Sequence, residues 1–527
     1  MVFIVCEVYY LSNDYFAKKT RLFTRLTLSL PIFIEECPEL EGMPAVQVFS
    51  NYQHLPWAML LDTCNNQLSD GRYDIIVHSP IAKLVVNNKQ LIESAIEGWT
   101  SLVKTESDRV NQCPFERLEA IHTKFKLMVT APDASQLPFL CGALGYFNYD
   151  LNVQLDGIQD NNTDQYLSPD LAVGIYDQSL IFDNKTNKVY CCYIDAERAA
   201  QLKNINPNID KLDSQSNSEK FKQLSHWLAN QTESEYRQKL QKIDDYLHSG
   251  DCYQINFAQR FEATYQGSEW QAYQLLRDVN KAPFSSFIRL DNSCILSVSP
   301  ERFLQVKGGM VETKPIKGTR KRAQNSEDDK KLSEELLSSE KDRAENLMIV
   351  DLLRNDLSKH CEPHSVVVPA LFKLESYPAV HHMVSTILGK LKATSSPIQL
   401  LKGAFPGGSI TGAPKHRAMQ IIQELEPNKR SIYCGSIGYI GIRNDMDTSI
   451  CIRTVLAENK HLYCWAGGGI VLDSDIASEY QESLDKVAKI LPILEDTMQI
   501  DELPLGKMVK ATTAAVKYKH EADKPIV

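Results

Sequence analysis

Apolar positions recur with two periods along this chain. In the first half they form short runs rich in Val, Ile and aromatics, such as "RYDIIVHSP" (72–80) and "LAVGIYDQSLIFD" (171–183), which read as strands. A polar stretch, "NINPNIDKLDSQSNSEK" (204–220), interrupts them and reads as a linker. It separates a first region, 46–220, from a second, 221–497. The second opens on a helix with legible ends. Thr232 and Glu235 make a capping box, Tyr236, Leu240, Ile243 and Leu247 form a stripe, and Gly250 suits the position past the end. A strand-like run follows, "CYQINFAQRFEATY" (252–265), and beyond it helical and strand patterns mix without strict βαβ alternation. That mixture predicts an α+β fold rather than a doubly wound sheet. Residues 498–527 lose the periodicity and are expected to be a poorly ordered tail.

Two later helices carry acids in a regular pattern. In "SSEKDRAENLMIVDLLRND" (338–356), Asp342 and Glu345 are three apart and share a face, and the apolar run 347–353 predicts a buried helix. In "SDIASEYQESLDKVAKIL" (474–491), Ser474 is the expected cap. Ile476, Tyr480, Leu484, Val487 and Leu491 make one stripe, and Glu479, Glu482 and Lys486 another. Two helices facing each other with these four carboxylates would suit a hard cation such as Mg²⁺. From spacing alone, salt bridges to Lys341, Arg343 or Arg354, or solvated faces, fit as well.

Composition narrows the class. The 527 residues are 43% hydrophobic and 24% charged, as in a soluble globular protein. With 57 basic and 67 acidic residues the net charge is −10, which disfavours nucleic acid as a partner. Thirteen cysteines without any C-x-x-C speak against structural zinc and a disulfide framework, and for a cytoplasmic location. The N-terminal apolar runs are broken by Glu7 and Arg25, so neither a membrane span nor an export signal is expected.

One lysine stands apart. In "ETKPIKGTRKR" (312–322), Pro315 stiffens the approach to Lys317 and Gly318 permits a sharp reversal after it. A surface loop lysine has the same appearance. Glycine runs in "AFPGGSITGAPKHRAMQIIQEL" (404–425) and "YCWAGGGIVLDSD" (463–475) would let backbone approach a ligand. The first is not a Walker loop, and Pro414 suits the start of a helix.

In order, the segments "SGDCYQINFAQRF", "SVSPERF", "KPIKGT", "KDRAENLMIVDLLRND", "PAVHHMVST", "GGSITGAPKHRAM", "YCGSIGY", "MDTSICIRT", "AGGGIV" and "SEYQESLDK" resemble the chorismate-utilising enzymes of the anthranilate synthase component I family. "HLPWAMLLDT" and "GALGYFNYD" extend the resemblance to about residue 50, which leaves 1–45 as an N-terminal extension. The resemblance implies a two-lobed α+β assembly of packed sheets around a cleft. Lysine in the Pro-Ile-x-Gly-Thr motif points to the aminodeoxychorismate synthase branch, since anthranilate synthases carry alanine there.

The resemblance also implies roles. Lys317 would attack C2 of chorismate and Glu301 would protonate the departing C4 hydroxyl. Burial, with Lys314, Arg320 and Lys321 nearby in sequence, is expected to depress the lysine pKa. Glu345 and Glu482 would hold Mg²⁺, with Asp342 and Glu479 in support. Thr411, Gly412, Tyr433, Arg453, Gly467, Gly468, Gly469 and Lys486 would bind chorismate. Gln254 stands where isochorismate-forming relatives carry a water-activating lysine, and His382 matches an active-site histidine whose role stays open. His381 is expected to be structural. Thr63, Asp70, Gly71, Arg72, Tyr73, Pro283, Phe284 and Ser285 match a pocket for L-tryptophan. No Gly-x-Cys-x-Gly elbow is visible, so ammonia is expected from a glutamine amidotransferase small subunit or from solution. Anthranilate synthase component I and a non-catalytic tryptophan-binding regulator are the alternatives.

Overall fold

The computed structural model describes residues 29–64, 71–103, 113–132, 136–158, 166–206, 220–377 and 380–498. Most of the proposed linker, Asp70, the part of the extension before residue 29 and the tail after 498 lie outside them.

Two large sheets make the molecule. The first, of thirteen strands among the described residues, runs from Lys222–Gln223 through Gln254–Gln266, His461–Ile470, Thr454–Glu458, Ser293–Ser299, Phe284–Arg289, Met59–Asp62, Tyr73–Val77, Gln178–Asp183 and Lys188–Tyr193 to Phe33–Glu36. The second, of eleven, starts at Ile316–Lys321, beside Val380–Lys390, and passes through Arg302–Lys307, Met446–Ile450, Ser436–Gly441 and Gly142–Phe147 to Gln90–Ala95. Strands from both sides of residue 220 share both sheets. Part of the extension folds too, with Phe33–Glu36 paired to Lys188–Tyr193.

Strand alternation explains the layering. Met59, Ile75 and Val77 point into the core between the sheets, where Leu144, Tyr146, Val173 and Ile437 meet them. Leu60 and Ile76, one residue out of phase, point the other way into a second core, closed by Trp270, Tyr273 and Leu276 of the helix Glu269–Asn280. The capping box at Thr232 forms as expected and starts the helix Glu233–His248, whose four stripe residues are all buried.

Two sequence expectations are corrected. The Glu345 helix, Glu340–Ser358, is half-buried, with Leu347 and Asp351 facing outward, because only one side of it packs on the strands Ile316–Lys321 and Val380–Lys390. The helix 474–491 divides into Ile476–Asp485 and Leu491–Glu495, and its cap is Asp475, whose side chain accepts from Ser478 N. Ser474 instead donates to Glu479 at 2.6 Å.

Candidate active site

Lys317 lies in the strand Ile316–Lys321, whose pairing with Val380–Lys390 slips between Ile316 and Thr319. Gly318 makes that slip, with φ at +80°, so the expected reversal is a bulge within a continuing strand. A Cβ on Gly318 would sit 2.8 Å from Leu336 and 3.0 Å from Asp342. The bulge directs Lys317 to the Glu345 helix, where Nζ donates to Glu345 Oε1 at 2.7 Å. The lysine side chain is 12% exposed.

The pKa expectation for Lys317 is overturned. Burial works to lower it, but Glu345 in contact, with Glu301 and Glu482 nearby, more than offsets burial and holds it above the usual lysine value. The basic neighbours in sequence are engaged elsewhere. Arg320 pairs with Glu335 at 2.9 Å and Asp342 at 3.1 Å, and Lys314 lies 3.9 Å from Glu312. A neighbour along a strand need not be a neighbour in space.

Glu301, between the strands Ser293–Ser299 and Arg302–Lys307, is buried and accepts from Ser409 Oγ at 3.1 Å. Burial pushes its carboxyl up to about 7, against the pull of Lys317, Ser409 and Lys486. It is therefore an acid poised near neutrality. Arg302 beside it is ion-paired with Asp447 and Glu312. Arg453 has φ at +52°, and its guanidinium makes no hydrogen bond or ion pair among the described residues. Burial lowers its pKa, opposed by Glu301.

Gln254 is fully buried, with Nε2 3.4 Å from Glu345 Oε1 and its own Oε1 without a partner among the described residues. Gly412 pairs with Ile255 on the same strand, and a Cβ on it would stand 2.1 Å from Gln254 O. Thr411 beside it donates to Gly407 O at 2.9 Å. Tyr433 is buried and stacks on Trp465 at 6.5 Å between centroids. His382 lies 2.9 Å from Thr319 Oγ1, and burial, with Arg453 and His381, depresses its pKa to about 3. His381 bridges Ser376 at 2.8 Å and Asp329 at 3.1 Å, the structural role expected of it.

The acidic helices do face each other. Lys341 of one reaches Glu479 of the other at 3.2 Å. The run Gly467–Gly469 separates them, and it is a cradle that any side chain would fill. A Cβ on Gly468 would stand 3.2 Å from Glu479 Oε2 and 3.5 Å from both Glu482 Oε1 and Lys486 Nζ, and one on Gly469 would stand 2.7 Å from Glu345 Oε1. Lys486 donates to Gly467 O at 2.8 Å and pairs with Glu482 at 2.8 Å. Glu479 Oε2 is buried without a partner among the described residues, and burial raises its carboxyl. Lys486 lowers that of Glu482. Among the described residues no three acidic, His or Cys side chains converge into a ready ligand cluster. Glu345, Glu479 and Glu482 offer the oxygen donors that a hard cation such as Mg²⁺ takes, with Lys317 and Lys486 paired to the first and last of them. Asp342 is committed to Arg320.

The tryptophan-pocket residues gather elsewhere, on the first sheet. Thr63 ends the strand Met59–Asp62, flanked by Tyr73 on one neighbouring strand and Ser285 on the other. Its hydroxyl and N–H both donate to Asp74 at 2.7 Å. Arg72 pairs with Asp183 and lies 4.6 Å over the Tyr73 ring. Gly71 and Pro283 are buried, and Arg302 lies 5.0 Å over the Phe284 ring.

Sequence reasoning missed Ser409, the partner of Glu301, and the buried pair Glu426–Arg430 beneath Tyr433. Ser409 sits within the quoted glycine run, but nothing in its spacing marks it. Glu426 and Arg430 are four apart across a turn, where no helical pattern flags them.

The family model for chorismate binding enzyme matches residues 64–492. The aminodeoxychorismate synthase component 1 of Klebsiella aerogenes is 47% identical over 85% of this chain and 96% of its own, and that of Escherichia coli 45% over 85% and 95%. The anthranilate synthase component 1 of Aquifex aeolicus is 33% identical over 83% and 89%. Among solved structures, anthranilate synthase component I from Streptococcus pneumoniae superposes with a TM-score of 0.67 at 30% identity, covering 81% of this chain and 93% of that one. With the family model matched over most of its length and relatives this alike over nearly all of theirs, the chain belongs to the chorismate binding enzyme family.

Proposed function

We propose that this chain is the large subunit of an aminodeoxychorismate synthase, converting chorismate and ammonia to 4-amino-4-deoxychorismate, the precursor of para-aminobenzoate and folate. The observation that carries it is Lys317, aimed by its bulge at the Glu340–Ser358 helix with Glu345 in contact and the neutral-range acid Glu301 nearby. The Klebsiella aerogenes and Escherichia coli relatives named for this activity are also more alike to this chain in sequence than the anthranilate synthase of Aquifex aeolicus.

In this reading Lys317, an ammonium at rest against Glu345, first releases a proton to water. The free amine bonds to C2, the ring double bonds shift, and the C4–O bond breaks as Glu301 delivers a proton, so water leaves. Ammonia then bonds to C4, the double bonds shift back, and the C2–N bond breaks to return lysine. One hard displacement becomes two easier ones. Arg453, whose charge has no partner among the described residues, suits one chorismate carboxylate. Mg²⁺ held by Glu345 and Glu482, with Glu479 beside them, would anchor the other. Gln254 is not a base for water, so it leaves the amine as the nucleophile.

Ammonia would come from a separate glutamine amidotransferase subunit, since no glutaminase elbow occurs within these residues. Twelve free cysteines among the described residues support a reducing, cytoplasmic location, and among those residues no helix is long and apolar enough to cross a membrane. L-Tryptophan would occupy the Thr63 cluster, where Asp74 offers a buried carboxylate and Tyr73 and Phe284 offer rings. Release of tryptophan on denaturation, or a melting point raised by added tryptophan, checks this, and neither effect would remove it.

The deciding assay combines the purified chain with chorismate, Mg²⁺ and ammonium and separates the products by chromatography. 4-Amino-4-deoxychorismate is expected with ammonium but not with glutamine alone. Excess EDTA is expected to stop turnover. Fluorescent 2-aminobenzoate as the sole product would give the chain to anthranilate synthase instead.

A further inference from the structure

Arg430 is among the largest fully buried side chains of the molecule, 1% exposed, in the turn that follows the helix Lys415–Leu425. Its fork is used on three sides. Nε and Nη2 donate to Glu426 at 2.8 and 2.6 Å, Nη1 to Ile410 O at 3.0 Å, and Nη2 again to Asn256 O at 2.6 Å. Its guanidinium lies 4.6 Å from the Tyr149 ring centre and 5.7 Å from that of Tyr433. Glu426 in turn accepts from Ala258 N at 2.8 Å.

The three segments tied here are those that carry the substrate-facing groups. Asn256 is two residues from Gln254 on one strand, Ile410 precedes Thr411 and Gly412, and Tyr433 rests over the guanidinium. Only a planar, multi-donor cation spans all of these at once, and an ammonium is a point charge that cannot. Resting on the proposed function, we infer that Arg430 is a positioning residue for chorismate: it fixes the spacing of Gln254, Thr411 and Tyr433 from beneath the cleft without touching substrate.

A purely structural arginine would lower stability and leave substrate affinity alone. The test is therefore chorismate affinity, read by titration calorimetry and as the KM for chorismate consumption with ammonium, on the full chain. Arg430→Lys is expected to raise Kd and KM on the order of tenfold with kcat within about threefold, because contacts made in both ground and transition states are loosened. Glu426→Gln keeps the shape and the carbonyl contacts of Arg430, and should shift KM the same way by about threefold. Tyr149→Phe keeps the ring and loses a hydroxyl that has no partner among the described residues, so it should match wild type. Variants that melt lower but bind chorismate as wild type does overturn the inference. Should Arg430→Lys fail to fold, an unchanged Kd in Glu426→Gln overturns it alone. Product identity in the wild-type assay judges the proposed function separately, since the affinity ratios do not depend on which isomer is made.

Discussion

Two ion pairs with little solvent around them show how this molecule separates chemistry from support. Lys317–Glu345 lies in the cleft at 2.7 Å, and Arg277–Asp62 beneath the Thr63 cluster at 2.5 Å. Asp62 is satisfied from several directions, since Arg277 grips it twice, Tyr273 OH donates at 2.9 Å and Cys64 N at 2.7 Å. Its cation cannot shed a proton. Glu345 has Lys317 and a long contact to Gln254, and nearby stand a partnerless Gln254 Oε1 and Glu479 Oε2 and the uncommitted Arg453. Buried polar groups left without a partner are costly, so Gln254 Oε1 and Glu479 Oε2 leave the Lys317 pair in a less satisfied setting than Asp62 has.

The largest expected effect breaks the cleft pair. Lys317→Ala and Lys317→Arg should each cut chorismate turnover on the order of 10³-fold or more, as loss of a nucleophile does. A trapped turnover sample should show added mass on the peptide holding Lys317, absent in the alanine variant. Residual product from the alanine variant should shift toward the 2-amino isomer, formed by direct attack of ammonia at C2. Near-normal turnover without an adduct would make the two pairs alike and end the proposed mechanism.

Next comes the acid. Glu301→Gln should lower turnover by about 10²–10⁴-fold, the usual contribution of a positioned proton donor. Glu301 is pushed up to about 7, so wild-type kcat should fall as pH rises through that region. The same limb persisting in Glu301→Gln would assign the ionisation to another group.

Breaking the supporting pair should do the reverse. Arg277→Ala leaves Asp62 charged and buried, a cost of about 3–5 kcal/mol in urea unfolding. Turnover per folded molecule should stay near wild type. A large loss of turnover with full stability would make that region part of the catalytic machinery.

How much of this was legible in the sequence differs by level. The capping box at Thr232 and the strand from Gln254 were, because each depends on residues close in the chain. The acidic helices were found by spacing, and their facing arrangement was not, since it needs two sheets to bring residues 345 and 479 together. The charge environment of Lys317 was misread for the same reason. Lys314 and Arg320 are near in number, but the strand sends them to Glu312, Glu335 and Asp342, and leaves Lys317 among acids. Arg430 has one partner close in the chain, Glu426, but the contacts that tie it to the rest of the site come from residues 256 and 410, which no local pattern marks.

The smallest effect tests the field inside the cleft. His382 is buried beside Arg453 and His381, and its pKa is depressed to about 3, first by burial and then by those two groups. It is neutral in the folded protein at physiological pH. An unfolded chain takes up a proton on this residue near 6.5, and the folded chain does so only near 3. Stability from this site is therefore full above pH 6.5 and lost as pH falls toward 3. His382→Gln, neutral throughout, removes that dependence. Between pH 6 and 4.5 wild type should lose about 2 kcal/mol more than the variant in urea unfolding. Reading the difference cancels His78 and His122, whose burial also depresses them, both to about 4. Arg453→Met should then raise the His382 pKa and narrow the gap between wild type and variant on the acid side. Parallel acid limbs in wild type and His382→Gln would mean that the ring is hydrated and that Arg453 does not act on it, and the contrast with the fully paired Asp62 region would lose its electrostatic basis.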